Sequence, residues 1–327
     1  VAAVVAGMGL PSPTLLGAGA IAVAGSLVVY VVLFGVNLSG AKGMPLVVAH
    51  GVVAALSLAA TLVTALAIVA AYTVGAPVDR ATMVALHLAL AGYGFMGMLA
   101  LGLSYVLVPM FALAESPPAH RAWASFALAT GALALSVAAA LGALPGVLGV
   151  AAAGFGAVAA ILHVQLMRET TMRGLRRELG IGFRLARIGW GALVASLVLA
   201  LGVALEVPWP RLPTLFGATL IAGWLLSFVL GILQRIVPFL ASMHAARGRR
   251  RPPTPSSLTA EQPLRAHFWL HAAALALLAA GILAGSGALV LAAAAAGTVG
   301  ALAYAAFFAT AVRRMTAPVI DAGRLNR

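Results

Sequence analysis

Long apolar runs, broken by short clusters of Pro, Gly and charge, set the pattern of this chain from residue 15 to residue 312. About 20 apolar residues rising 1.5 Å each cross the hydrocarbon core of a bilayer, where every backbone amide has to be satisfied within its own helix. Runs of that length predict spans over 15–38, 45–72, 82–113, 119–142, 145–167, 186–206, 212–243, 265–284 and 287–312. The first ten residues are apolar but too short to cross alone. Without an initiator Met or a basic leader, they read as the end of a trimmed segment rather than an intact signal peptide. The expected fold is all-α, a polytopic transmembrane bundle of about nine spans in a single domain over residues 1–327.

Composition narrows the class further. The chain is 63% hydrophobic and 8% charged, with a mean hydropathy of +1.09, whereas a soluble domain carries about 25% charged residues. That excludes a soluble enzyme, a secreted scaffold and a disordered protein. The absence of Cys excludes disulfides, iron–sulfur clusters and thiolate ligands.

The net charge of +13 sits in short loops and speaks for membrane orientation, not for nucleic acid. Of the 20 Lys and Arg, only Arg80 and Arg211 fall on one face, Arg235 falls inside span seven, and the remaining 17 fall on the other face. The basic face, with the C-terminus, is expected in the cytoplasm of a bacterial-type inner membrane, and the N-terminus outside. Trp123, Trp190, Trp209 and Trp269 fall near span ends, as interfacial anchors do. Two larger loops stand out on the basic face. Residues 168–184 are expected to form a basic surface helix, and the Pro- and Ser-rich 246–263 a flexible loop without regular structure.

Spans three and seven share a pattern. Residues 94–112 read GFMGMLALGLSYVLVPMFA and residues 223–241 read GWLLSFVLGILQRIVPFLA. At a constant offset of 129, Gly94 matches Gly223, Gly102 matches Gly231 and Pro109 matches Pro238. Four spans separate the copies, so both run in the same direction and the repeat is parallel. Each Pro frees a carbonyl four residues earlier, at Tyr105 and Gln234.

With these segments and a His near the start of span three, the chain resembles small membrane proteins related to the catalytic subunit of heme-copper oxidases and to the NnrS family. That resemblance implies a bundle of four-helix arcs with heme held by histidines on the span walls, serving electron transfer, gas sensing or an accessory role. The chain departs from the oxidases in having no His-His and no His-x-His, and Phe216 stands where His87 aligns. The copper site and oxygen reduction are therefore not expected. If the chain is catalytic, it is a component of a respiratory-type oxidoreductase.

Histidines inside a membrane need partners and default to functional hypotheses. His87 shares a stripe with Ala91, Gly94, Met98, Gly102 and Tyr105, small enough in places for a porphyrin or a packed helix to approach. His50, His163 and His271 fall at similar depths from the basic face. His267 and His271 are four residues apart, a spacing that chelates a metal or pairs one ligand with a supporting donor. Arg235 and Arg265 are candidates to neutralise heme propionates. The expected cofactor is thus heme, on His50, His87, His163, His267 and His271. The bland alternative is hydrogen-bonded packing at these positions. His120 and His244 fall at helix ends and are expected in solvent.

All seven acids (Asp79, Glu115, Glu169, Glu178, Glu206, Glu261 and Asp321) lie in loops or at span ends. That disfavours a proton-driven pump. Two alternatives remain: a non-catalytic assembly subunit whose Gly faces dock partner helices or a second copy, and a small-solute transporter with Arg235 on the path.

Overall fold

The computed structural model describes residues 1–176, 178–246 and 253–316. Among them there are helices and turns and no strand. Nine helices among the described residues are long and apolar enough to cross a membrane, so the chain is an all-α polytopic membrane protein. A short helix α1 (Ala2–Gly9) precedes them. The candidate spans are α2 (Pro13–Gly40), α3 (Pro45–Thr73), α4 (Arg80–Ala112), α5 (Ala119–Ala140), α6 (Pro145–Arg173), α7 (Gly180–Ala204) and α8 (Leu212–Ala245). After a one-turn helix α9 (Pro255–Leu258) come α10 (Glu261–Ala284) and α11 (Gly287–Thr316).

Local chemistry sets the ends. Pro opens α2, α3 and α6, where its missing N–H costs nothing. Asp79 caps α4 by accepting from the amides of Ala81 and Thr82. Gly285, at φ +67°, closes α10 in the left-handed conformation. Several helices run past the hydrocarbon-length segment: α6 continues to Arg173 instead of stopping near 167, α7 begins at Gly180 instead of 186, and α10 begins at Glu261 instead of 265. Charged residues end an apolar run without ending a helix.

Two loop expectations are corrected. Residues 168–184 form no separate surface helix: 168–173 complete α6, and α7 starts at Gly180. The intervening strap is held to the end of α4, where Leu175 and Arg176 donate to the carbonyls of Leu113 and Ala112. Gly174 sits so close to Ala112 that a Cβ would lie 2.4 Å from its carbonyl oxygen. Nor is 246–263 irregular throughout. Thr254 caps α9, Ser242 Oγ donates to the Pro253 carbonyl, and Arg314 donates to the carbonyls of Ser257 and Thr259 at 3.2 and 2.9 Å. Residues 247–252 of that loop lie outside the described residues.

The chain forms two compact units. The first comprises Val1–Glu178 and Trp190–Ile221; the second comprises Leu179–Gly189 and Ala222–Arg327. In the first unit α4 lies at the centre, packed on α3, α5 and α6. In the second, α10 and α11 form an antiparallel pair, and the latter half of α8 packs on α11. Large apolar side chains such as Ile21, Val63, Val158 and Leu302 face outward, as a lipid-facing surface requires.

The likeness between spans three and seven extends to the backbone. Within α4, Ala89–Gly97 is π-helical; within α8, Thr219–Leu226 is. Moved by the 129-residue offset, the second segment falls on 90–97, inside the first. Each widened turn is followed by an interior proline, Pro109 or Pro238. A π-turn and a proline both loosen the hydrogen-bond ladder, so these two helices carry the same pair of breaks in the same order.

Candidate functional site

The stripe of small residues on α4 is filled by α3. A Cβ at Gly94 would lie 2.5 Å from Ser57 Oγ, and one at Gly102 would lie 2.6 Å from the His50 Cβ. The stripe is thus a helix seam rather than a porphyrin wall or a docking face for a partner helix. It brings α3 close enough to place His50 beside Tyr105.

His50, Tyr105 and His163 converge in the first unit from α3, α4 and α6. The Tyr105 ring lies 5.7 Å from His50 and 5.1 Å from His163, centre to centre, and Phe126 covers His50 at 4.8 Å. His50 donates Nδ1–H to the Leu46 carbonyl at 2.8 Å, which leaves Nε2 as the lone-pair nitrogen. His163 is fully buried, with Nδ1 3.2 Å from the Tyr105 hydroxyl.

A chain of hydrogen bonds assigns its tautomer. The Ser125 hydroxyl donates to the Ala159 carbonyl at 3.1 Å, and Tyr105 is bonded to Ser125. Tyr105 therefore donates to Ser125 and accepts from His163 Nδ1–H. Nε2 of His163 is left as a buried lone pair with no hydrogen-bond partner among the described residues.

The second unit holds a parallel arrangement. His267 on α10 donates Nδ1–H to the Gly300 carbonyl of α11 at 3.0 Å, and its Nε2 is buried without a partner among the described residues. The rings of His267 and His271 lie 5.6 Å apart, and Tyr304 lies 5.2 Å from His267. His271 Nε2 is 2.8 Å from Ser227 Oγ of α8. With the Ser227 hydroxyl donating to Ala222, His271 is the donor. The Tyr304 hydroxyl and both amide atoms of Gln234 are buried and unpartnered among the described residues. Beneath this polar layer Val237 and Tyr304 pack on Ala260, Leu264 and Phe307.

The remaining candidates lie elsewhere. His87 is half-buried with Nδ1 3.2 Å from Thr64 Oγ1, held on α3 and outside the His50–His163 pair. Arg235 donates to the Leu179 carbonyl, so a backbone oxygen receives this guanidinium inside its span. Arg265 is exposed and pairs with Glu261 one turn away at 2.8 Å, on the outer side of α10. His120 and His244 are exposed at helix ends.

Sequence reasoning missed Tyr105, Ser125, Ser227, Tyr304 and Gln234 as site residues. The available signal was their polarity inside apolar spans, where each must find a partner. No family model and no curated protein matches the chain.

The residues fit a heme in their donor chemistry. Metal-binding imidazoles present one bare nitrogen while the other ring N–H is tied to an oxygen that fixes the ring, and His163 and His267 both have that form. The described residues hold no group of three or more His, Asp and Glu suited to a bare metal ion. A porphyrin brings its own negative charge to iron, so neutral imidazoles suffice in an apolar interior.

Proposed function

We propose that this chain is a heme-binding integral membrane protein of an electron-transfer or gas-sensing system, with His163 as the iron ligand of a site in the first unit and His267 as that of a separate site in the second. The observation that carries the reading is the pair of buried Nε2 atoms with no hydrogen-bond partner among the described residues, each on an imidazole clamped through Nδ1. When bound, the heme supplies one-electron chemistry or binds a small gas. Tyr105 and the Gly300 carbonyl hold the ligand rings and their tautomers. His50 and His271 complete the polar surroundings of the two sites, and Arg235, held on the Leu179 carbonyl, belongs to the same unit as the second. His87 and Arg265 lie apart from these clusters and have no part in the reading. The chain sits in a bacterial-type inner membrane with its basic loops in the cytoplasm; the one-sided distribution of Lys and Arg supports that orientation.

The test is a dithionite-reduced minus oxidised spectrum of the purified full chain, with a pyridine hemochrome assay. A Soret band that shifts or falls in His163→Ala or His267→Ala supports the assignment. A negative hemochrome removes heme and leaves an assembly subunit as the better description. In that case alanine at all five candidate histidines leaves complex formation unchanged.

A further inference from the structure

A cavity of about 500 Å³ opens in the first unit where α4 ends, α5 begins and α6 completes its last turns. It lies outside both histidine clusters. Buried Leu166 lies at its base, the exposed Leu113 and Leu175 stand at its apolar rim, and its polar lining includes Glu115, Glu169 and Arg173. The volume is that of an ordinary small-ligand pocket. All three helices enter or leave the predicted hydrocarbon zone here, so the cavity stands at headgroup level.

The charges are arranged for a ligand that carries both signs. Arg121 from α5 grips both oxygens of Glu169 at 2.9 and 3.1 Å, which holds that carboxylate in place. Arg173 touches Glu169 only at 4.0 Å and is 73% exposed, so its guanidinium is available for a second anion. Glu115 makes no ion pair with any described residue. The cavity therefore offers an unclaimed carboxylate and a loosely held guanidinium beside an apolar rim.

We propose that this cavity binds a phosphoethanolamine headgroup, the ammonium on Glu115 and the phosphate on Arg173. A carboxylate serves a primary ammonium through N–H bonds. A quaternary ammonium would instead need aromatic faces, and among the described residues no aromatic side chain lines the cavity. A purely anionic headgroup would meet Glu115 and Glu169. The same chemistry arises from a membrane phospholipid or from free phosphoethanolamine, and the apolar rim serves the glycerol end of the former.

The experiment uses the full chain in detergent, with thermal stability and native mass spectrometry read after adding short-chain phosphatidylethanolamine, phosphatidylcholine, phosphatidylglycerol or free phosphoethanolamine. Phosphatidylethanolamine is expected to stay bound and raise Tm, while the choline and glycerol lipids do neither. Glu115→Gln and Arg173→Gln, both at exposed positions, should each weaken binding about twofold to fivefold, the effect of losing one solvent-screened ion pair. A response to free phosphoethanolamine alone supports the same site with a soluble source. Equal responses to all three lipids, or undiminished retention of phosphatidylethanolamine by both variants, overturn the proposal. Neither result touches the heme reading, which is scored by absorption.

Discussion

Helices α4 and α8 carry the same framework, a π-turn followed by Gly, a polar residue and Pro, yet what surrounds that framework differs. In α4 the glycine is Gly102, and its missing Cβ makes room for the side chain of His50. In α8 the equivalent Gly231 makes room for backbone: a Cβ there would lie 2.6 Å from the Gly182 carbonyl and 2.8 Å from the Ala186 amide. Three residues further on, Tyr105 is bonded to His163 and Ser125, whereas the matching Gln234 is buried with neither amide atom partnered among the described residues. A repeated backbone thus fixes where a polar centre stands, and the neighbouring helices decide whether it is satisfied.

That contrast can be broken at the glycines first. Gly231→Ala should be the most damaging change, costing roughly 3 kcal/mol, because backbone on α7 cannot rotate away as a side chain can. Gly102→Ala displaces His50 and should cost less. Thermal unfolding in detergent ranks the two, and a larger loss at Gly102 would reverse the account of the seams.

Next comes the polar centre itself. Tyr105→Phe should cost about 1–3 kcal/mol, since it strips a donor from Ser125 and an acceptor from buried His163. Combined with Ser125→Ala, its effect should be clearly less than additive; strict additivity would mean that the hydroxyl chain is not coupled. Gln234→Leu should be neutral or slightly stabilising, because it removes two buried polar atoms that have no partner. A marked loss of stability there would show that a bound molecule engages the amide.

The smallest effect is expected at the start of α4. The Thr82 hydroxyl, followed by the amides of Ala81 and Thr82, holds the Asp79 carboxyl below its ordinary value of 3.8. The folded group ionises more readily than the unfolded one, so its capping contribution is complete above the ordinary value. It is lost as pH falls through the lower folded value. The hydrogen-exchange protection factor in the first turn of α4, taken relative to the intrinsic rate at each pH, should therefore fall in acid, and Asp79→Asn should flatten that dependence.

Much of the fold was legible because hydropathy is a local property: every expected span corresponds to a helix, and α3 begins at Pro45 where the break at residue 44 implied. Helix ends were less legible where Arg or Glu lies in a terminal turn, as at Arg173, Arg184 and Glu261, since polarity marks the edge of the hydrocarbon and not the end of hydrogen bonding. The spacing of His267 and His271 already put two imidazoles on one face. Their orientation depended on Gly300 and Ser227, residues that no local pattern singles out.

Linear order alone gave the nine candidate spans and the alignment of Gly94 with Gly223, Gly102 with Gly231 and Pro109 with Pro238, because each depends on length, periodicity or count. Only tertiary structure decided that Tyr105 stands between His50 and His163, that Leu179 receives Arg235, and that the α4 stripe is filled from within the chain. The physical reason is azimuth: depth along a helix follows from residue number, but the direction a side chain faces depends on how its helix is rotated against its neighbours.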